Sequence, residues 1–472
     1  MRALTKIALT VAFALLGPAS VAAQAFDRSA WLADFEEVKA AITDRSPNLD
    51  WAVERGLDLP ALERRARQRL ADANDDYAAR FALERFVQGF GDEHMDLTWP
   101  SPPRPSPSSP AAAPSICGRL GYPDRPDTRA IASALPGYAS VAPADAYITA
   151  GVVRAGDRTI GAIRIPLFAP NPQVCAQTLQ EMGLSPGAPC DEPCIGAVSR
   201  RTDAVLLAEI ATRVRALKAA GAQALLVDVA GNGGGSDIAI AIARMLAGAD
   251  VRTPSIALVK TSSRVRDLEE DLSSLRAGVA GADAKAKAFA APMLASLTSA
   301  RAEAETACNR EAVWRNEPVT CSKLLRGPFF AGGLTPGEIP DEFRSEPWAE
   351  LVSATARFPK PERVWSGPLF ILVDGDSASS TELFTAMLQD AGRAVVVGSP
   401  SSGAGCGWNM PREPVSLRHS GGRLVLPNCA RFRADGTNEV DGIQPDVLVG
   451  FRTYDSTRQR ASRLAAALGR LR

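Results

Sequence analysis

Two stretches of this chain follow one pattern: an apolar run, an aspartate, a cluster of small residues, then a segment that reads as helix. One is residues 225–237 (LLVDVAGNGGGSD) and the other residues 371–384 (ILVDGDSASSTELF). A continuous apolar run of this length is the signature of a strand buried on both faces. A buried strand that passes through a few small residues into a helix is the repeating unit of alternating α/β folds, with right-handed crossovers. The neighbouring sequence agrees. Residues 159–168 (TIGAIRIPLF) and 224–229 read as strands. Residues 202–220 read as a helix, with Leu206, Ile210, Val214 and Leu217 on one face and Gly221 as its stop. Residues 236–246 are helical, and 369–373, 381–389 and 394–397 repeat strand, helix, strand. A mixed α/β core is therefore expected over residues 151–261 and 346–455.

The remaining segments read differently. Residues 26–97 carry helical spacing, first through Trp31, Phe35, Val38 and Ile42, then through Leu62 and Leu70, then through Phe81, Leu83, Phe86, Val87 and Phe90. They are expected to form an N-terminal helical domain. Residues 98–150 read as a proline-rich linker and a small β region, with the stretch 99–114 extended. Residues 262–345 interrupt the core. Their first part is polar and alanine-rich, which suits a helical hairpin, and the segment is a candidate lid. Residues 456–472 read as a C-terminal helix. A chain of 472 residues suits two or three domains of this kind.

Composition removes several functions. Lys plus Arg and Asp plus Glu both number 53, so no field of one sign exists to hold a nucleic acid or an anionic membrane. Residues 1–25 have Arg2 and Lys6, a short apolar stretch from 7 to 16, Gly17-Pro18, and Ala23-Gln24-Ala25. That is the layout of a signal peptide cleaved near Ala23 or Ala25, and the apolar stretch is too short for a membrane span. A periplasmic or secreted protein is expected. The eight cysteines all lie beyond this leader, and an even number in an oxidising compartment implies disulfides. Cys308–Cys321 and Cys406–Cys429 are the preferred pairs, each close in sequence within one segment. Cys190 and Cys194 could instead open a zinc site, but no second ligand pair follows at a suitable distance.

The two small-residue turns are where chemistry is expected. Gly231-Asn232-Gly233-Gly234-Gly235 lets successive N–H groups face one way at a helix N-terminus, a setting for a phosphate or a developing oxyanion. No lysine follows, so it is not a nucleotide-binding loop. In the second turn Ser377, Ser379 and Ser380 are candidate nucleophiles, although helix capping by Ser379 or Ser380 suits the position as well. Both turns belong at the C-terminal ends of core strands, where ligands bind in open α/β sheets.

These stretches resemble the tail-specific, or C-terminal processing, proteases. VDVAGNGGG is similar to that family's D-x-R-x-N-G-G-G signature. LVDGDSASSTELFTAMLQDAGRAVVVGSPSSGAG is similar to its second signature through S-A-S, Glu382, Gln389-Asp390 and Gly392-Arg393-Ala394. DGIQPDV at 441–447 resembles its late G-I-x-P-D motif. The resemblance covers roughly residues 150–250 and 360–450. It implies a crotonase-related (ClpP/crotonase-like) α/β core, Ser379 as nucleophile, and an oxyanion hole from the N–H groups of Ser380, Gly233 and Gly234.

The sequence departs from the family pattern at one place. The family's catalytic lysine falls at Ala404, and its glutamine at Trp408. A serine needs a base. The tricorn-like branch of the family uses a histidine before the core and a glutamate just ahead of the late motif. His94, in Phe90-Gly91-Asp92-Glu93-His94, and Glu439 stand at those positions. The second of the two histidines, His419, sits beside Gly421-Gly422 in what reads as a hairpin turn, and is expected at the surface. The resemblance thus implies an exported serine peptidase with catalytic residues Ser379, His94 and Glu439, a peptide or protein substrate, and neither cofactor nor metal. No room is left for the PDZ domain that many relatives carry. A ligand-binding module built on the same fold, and an esterase using the same residues, are the rival readings.

Overall fold

The computed structural model describes residues 26–100, 115–123, 130–143, 146–360, 362–408 and 413–470. The expected leader at 1–25 and most of the proline-rich stretch, 101–114, lie outside the described residues.

A seven-stranded mixed sheet organises the core. Its order across the sheet is Val447–Leu448, Val395–Gly398, Leu369–Val373, Ala224–Asp228, Arg158–Arg164, Thr149–Ala155 and Ala139–Ser140. The first five of these run parallel, and the last three are joined antiparallel. The strands Ala224–Asp228 and Leu369–Val373 are buried at every residue and lie side by side, with Leu225 opposite Leu369 and Val227 opposite Ile371. Alternate residues serve opposite faces. Leu225, Val227, Ile371 and Val373 pack under the helices Glu192–Ala219, Ile238–Ala247 and Ser380–Asp390. Leu226, Phe370 and Leu372 pack under the C-terminal helix Thr457–Leu468, through Ala461, Leu464 and Leu468. Because the two strands are parallel neighbours, the glycine turn and the serine turn leave the sheet at the same end.

The helix read over 202–220 begins earlier, at Glu192. Asp191 caps it by accepting from the Cys194 N–H, and Pro193 lies in the first turn, where no helical N–H is lost. Gly196 and the polar run after it hide that start in the sequence. The helices Arg28–Arg45, Leu49–Glu54, Leu59–Asp72 and Asp76–Gln88 form a separate core around Trp31, Phe35 and Phe86. Asp27, Asp58 and Asp75 each cap a helix there.

Within 262–345 the helices Ser262–Ala280 and Ala284–Ala304 form a hairpin. The chain after it makes the strand Leu324–Phe330, which joins Ser255–Val259 and Cys429–Phe432 in an antiparallel sheet. Arg326, Gly327 and Pro328 break any alternation along that strand, so periodicity gave no sign of it. The buried Arg310 guanidinium donates to the Thr43 and Ser46 carbonyls, and Trp314 Nε1 donates to Thr43 Oγ1, which pins this segment to the N-terminal helices.

All eight cysteines are paired: Cys117–Cys175, Cys190–Cys194, Cys308–Cys321 and Cys406–Cys429. The two preferred pairs are among them, and the Cys190–Cys194 bond removes the zinc alternative. Among the described residues no helix is long and apolar enough to cross a membrane.

The Cys406–Cys429 bond spans a separation of 23 residues, against 4 for Cys190–Cys194. In the chain-entropy model the larger loop is worth about 3 kcal/mol and the smaller one less. Urea unfolding of the two double alanine variants is expected to show the larger loss for Cys406→Ala/Cys429→Ala. The reverse order would contradict this account.

Candidate active site

Ser379 sits where the strand Leu369–Val373 has turned and the helix Ser380–Asp390 begins. Its backbone is at φ 57°, ψ −115°, a region that costs a side-chain-bearing residue on the order of 1–3 kcal/mol. Surrounding contacts hold it there. Ser377 Oγ donates to the Val229 carbonyl, and Gly231 N–H donates to Asp374 Oδ1. Ala378 N–H and Thr381 Oγ1 both donate to the Asn232 carbonyl. The serine turn and the glycine turn are thereby laced together. Ser377 is buried and its hydroxyl is spent on that lacing, so of the three serine candidates only Ser379 and Ser380 line the adjoining cavity.

The glycine turn lies directly against Ser379. A Cβ added at Gly234 would stand 2.8 Å from Ser379 Cβ and 2.9 Å from Ser380 N, so the approach admits glycine alone. The expected three oxyanion donors do not all remain available. Gly234 N–H donates to Asn232 Oδ1 at 2.9 Å, because that side chain folds back over its own turn. The Gly233 and Ser380 N–H groups make no hydrogen bond among the described residues.

Glu382, one turn into the helix, is fully buried and binds the site from behind. Its carboxylate accepts from Ser379 N–H (2.9 Å), Ser401 Oγ (2.6 Å), Gly403 N–H (2.8 Å) and Gly405 N–H (3.0 Å). Burial pushes its carboxyl above the usual range, and hydrogen bonds from Ser401 and Gly403 pull the other way. Glu382 appeared in the sequence only as part of a matching motif. Nothing there signalled four donors.

His94 lines the same cavity as Ser379. Its Nδ1 lies 2.6 Å from the Ala404 carbonyl oxygen. A carbonyl only accepts, so Nδ1 carries a hydrogen in this contact, and a neutral ring would then have Nε2 as its proton-accepting nitrogen. Gly407 faces that nitrogen. A Cβ there would stand 2.7 Å from Nε2. The Trp408 ring meets the imidazole edge-on, with centroids 4.8 Å apart. The loop around Ala404, where relatives are expected to carry a lysine, here supplies a backbone oxygen to a histidine. His419 is exposed in its turn, as expected, and packs against Trp31.

Glu439 is also fully buried, but its partner is an arginine. Glu439 Oε2 accepts from Arg431 Nε at 2.6 Å, and Arg431 Nη2 donates to the Ser379 and Gly405 carbonyls at 2.9 and 3.0 Å. The second carboxylate oxygen, Oε1, is buried without a partner. The orienting contact on His94 Nδ1 thus comes from Ala404, and Glu439 reaches Ser379 through Arg431.

His94 is tied to this wall by a buried polar chain. Asn438 Nδ2 donates to Asn48 Oδ1, Asn48 Nδ2 donates to Asp92 Oδ2, and Asp92 Oδ1 accepts from His94 N–H. The cavity between these groups measures about 760 Å³. Among the described residues no group of three or more His, Cys, Asp or Glu is placed to hold a metal ion.

A half-buried strand-to-helix serine with a strained backbone, flanked by N–H groups that no described residue engages and by a histidine in one cavity, defines a serine-hydrolase type of site. The comparisons narrow the class. Residues 205–449 match the model of peptidase family S41. This chain belongs to that family of serine peptidases. A Chlamydia pneumoniae protein, CPj1016/CpB1054, is 34% identical over 117 residues, which is 25% of this chain and 18% of the length of that relative. The structure of mature CPAF superimposes with a TM-score of 0.58 at 15% identity, covering 94% of this chain and 97% of that one. Mature CPAF complexed with lactacystin gives 0.57 at 14% identity, covering 94% and 98%. At such identities these structures speak for the fold, which is the α/β core expected.

Burial pushes the Asp92 carboxyl up to about 6 from its ordinary value of 3.8. The folded state therefore holds a proton on Asp92 that the unfolded chain releases first. Stability contributed by that proton is present below about pH 4 and is lost as pH rises to about 6, at no more than roughly 1.4 kcal/mol per unit. Urea unfolding of wild type and Asp92→Asn across that window is expected to show wild type losing ground to the variant. Parallel curves would refute it.

Proposed function

We propose that this protein is an exported serine peptidase that cleaves peptide bonds through an acyl-enzyme formed on Ser379. The observation that carries the proposal is the placement of the strained Ser379 turn and the His94 imidazole, whose Nδ1 is held by the Ala404 carbonyl, on one cavity. Nε2 takes the hydroxyl proton as Ser379 Oγ bonds to the substrate carbonyl carbon. The carbonyl oxygen gathers negative charge and is met by the Ser380 and Gly233 N–H groups. The imidazolium then gives its proton to the leaving amine as the C–N bond breaks. Water, deprotonated by the same nitrogen, releases the acyl group and restores the serine.

Glu439 belongs to this machinery as the buried negative charge behind the site. It holds Arg431, which fixes the carbonyls of Ser379 and Gly405, and its charge favours the imidazolium. The departure from a lysine base agrees with the chemistry of position 404, where an alanine offers no amine. Export is supported by the four disulfides, which persist in oxidising compartments. It is supported further by the leader-like residues 1–25, with cleavage near Ala23 or Ala25. The domain boundaries read from the sequence remain part of the same proposal.

A fluorophosphonate probe is expected to label Ser379, and Ser379→Ala is expected to abolish both labelling and peptide turnover, with a loss in kcat of about 10⁶. His94→Ala is expected to lose at least about 10². Glu439→Gln should keep the fold and lose less than His94→Ala. Labelling that persists in Ser379→Ala but disappears in Ser380→Ala would move the nucleophile by one residue. A fully active His94→Ala enzyme would remove the base.

A further inference from the structure

The cavity beside Ser379 carries charges that the proposed chemistry does not use. Asp237, Arg264, Asp271, Glu350 and Arg431 line it together with His94. Both arginines already have partners. Arg431 pairs with Glu439 at 2.6 Å, and Arg264 lies 3.5 Å from Asp267. The carboxylates are less well served. Asp237 stands at the start of the helix Ile238–Ala247, the position of a capping side chain, yet it makes no capping bond. No described residue forms a hydrogen bond or close ion pair with its carboxylate, while its backbone carbonyl accepts from Ile240 N–H. The cations nearest to it in effect are Arg357 and Arg431, and each is committed elsewhere, Arg357 to Asp203 at 2.8 Å.

Asp237 is half-buried on the cavity wall, and desolvation raises its carboxyl above the ordinary range. Asp271 is in the same condition at another part of the cavity, where burial and the neighbouring Asp267 bring it to about 6. The rest of the lining is largely apolar, with Ile256, Leu258, Phe329, Leu334 and Leu351 among it. A cavity with apolar wall residues and carboxylates that no described cation pairs fits a side chain that has an aliphatic stem and a cationic end. A metal ion is a poorer match, since it needs several oxygens converging on one point.

Asp237 also lies close to the reacting centre. It is separated by Gly235 and Ser236 from Gly234, which touches Ser379. We propose that the cavity is a substrate subsite for a lysine or arginine side chain next to the scissile bond, with Asp237 as the residue that receives the positive charge. This names a substrate class for the peptidase reading and rests on it.

The test separates the two. In the Ser379→Ala protein, which binds without turnover, acetylated and amidated peptides identical except for one central residue are titrated by calorimetry. Lysine at that residue is expected to bind at least about tenfold more tightly than norleucine, and glutamate more weakly than either. Adding Asp237→Asn is expected to bring the lysine-to-norleucine ratio close to one, and Asp271→Asn to reduce it less. Equal affinities for lysine and norleucine would overturn the proposal. So would a preference that survives Asp237→Asn or that follows Asp271 instead. Fluorophosphonate labelling of the wild type reports on Ser379 independently: labelling without a charge preference sinks the subsite alone, whereas a charge preference without labelling sinks the hydrolase and leaves the subsite standing.

Discussion

One buried carboxylate organises this site. Glu382 accepts four hydrogen bonds, one from the backbone of Ser379 and three from the loop at 401–405. That loop in turn presents the Ala404 carbonyl to His94 and the Gly405 carbonyl to Arg431. Ser379, His94 and Arg431 therefore share a single anchor. An exposed ion pair contributes 0–1 kcal/mol, but a buried charge stripped of its partners costs about 3–5 kcal/mol. The energy that keeps Ser379 in its strained backbone comes from this second kind of interaction and from the lacing of the two turns.

The imidazole arrives from a different part of the molecule. His94 follows the N-terminal helices, whereas Ser379, Glu382 and Glu439 belong to the core. Two buried connections bridge the gap. Arg310 and Trp314 clasp the backbone and Thr43 of the first helix region, and the Asn438–Asn48–Asp92 chain ends on the His94 backbone. The Cys406–Cys429 bond completes the frame, since Cys406 precedes the Gly407 that faces Nε2 and Cys429 starts a strand that carries Arg431. Geometry at the imidazole thus depends on contacts that are widely separated along the chain.

That separation sets what could be read in the sequence. The two turns were legible because apolar runs, glycines and serines act locally. They left Ser377, Ser379 and Ser380 as candidates, and the choice of Ser379 and of His94 came from the resemblance to the tail-specific and tricorn-like proteases. Glu382 was visible as a motif residue, but its role depends on a loop some twenty residues away folding over it. The Asn232 side chain removes Gly234 from the oxyanion donors by a bond between residues two apart, a choice of rotamer that composition does not encode. The link from Glu439 to Arg431 is a tertiary contact across a turn. The early start of the helix at Glu192 was hidden because a capping aspartate and a proline outweigh a weak apolar pattern.

The hydrogen bond from His94 to Ala404 has a bearing on how such a site tolerates change. The acceptor is a peptide oxygen, and every residue that could replace Ala404 brings the same oxygen. The tautomer of the base is therefore written in the path of the main chain and not in any side chain. Scanning the protein one side chain at a time would pass over the group that sets it. A substitution at position 404 would change the side chain that the loop displays and leave in place the oxygen that meets the imidazole.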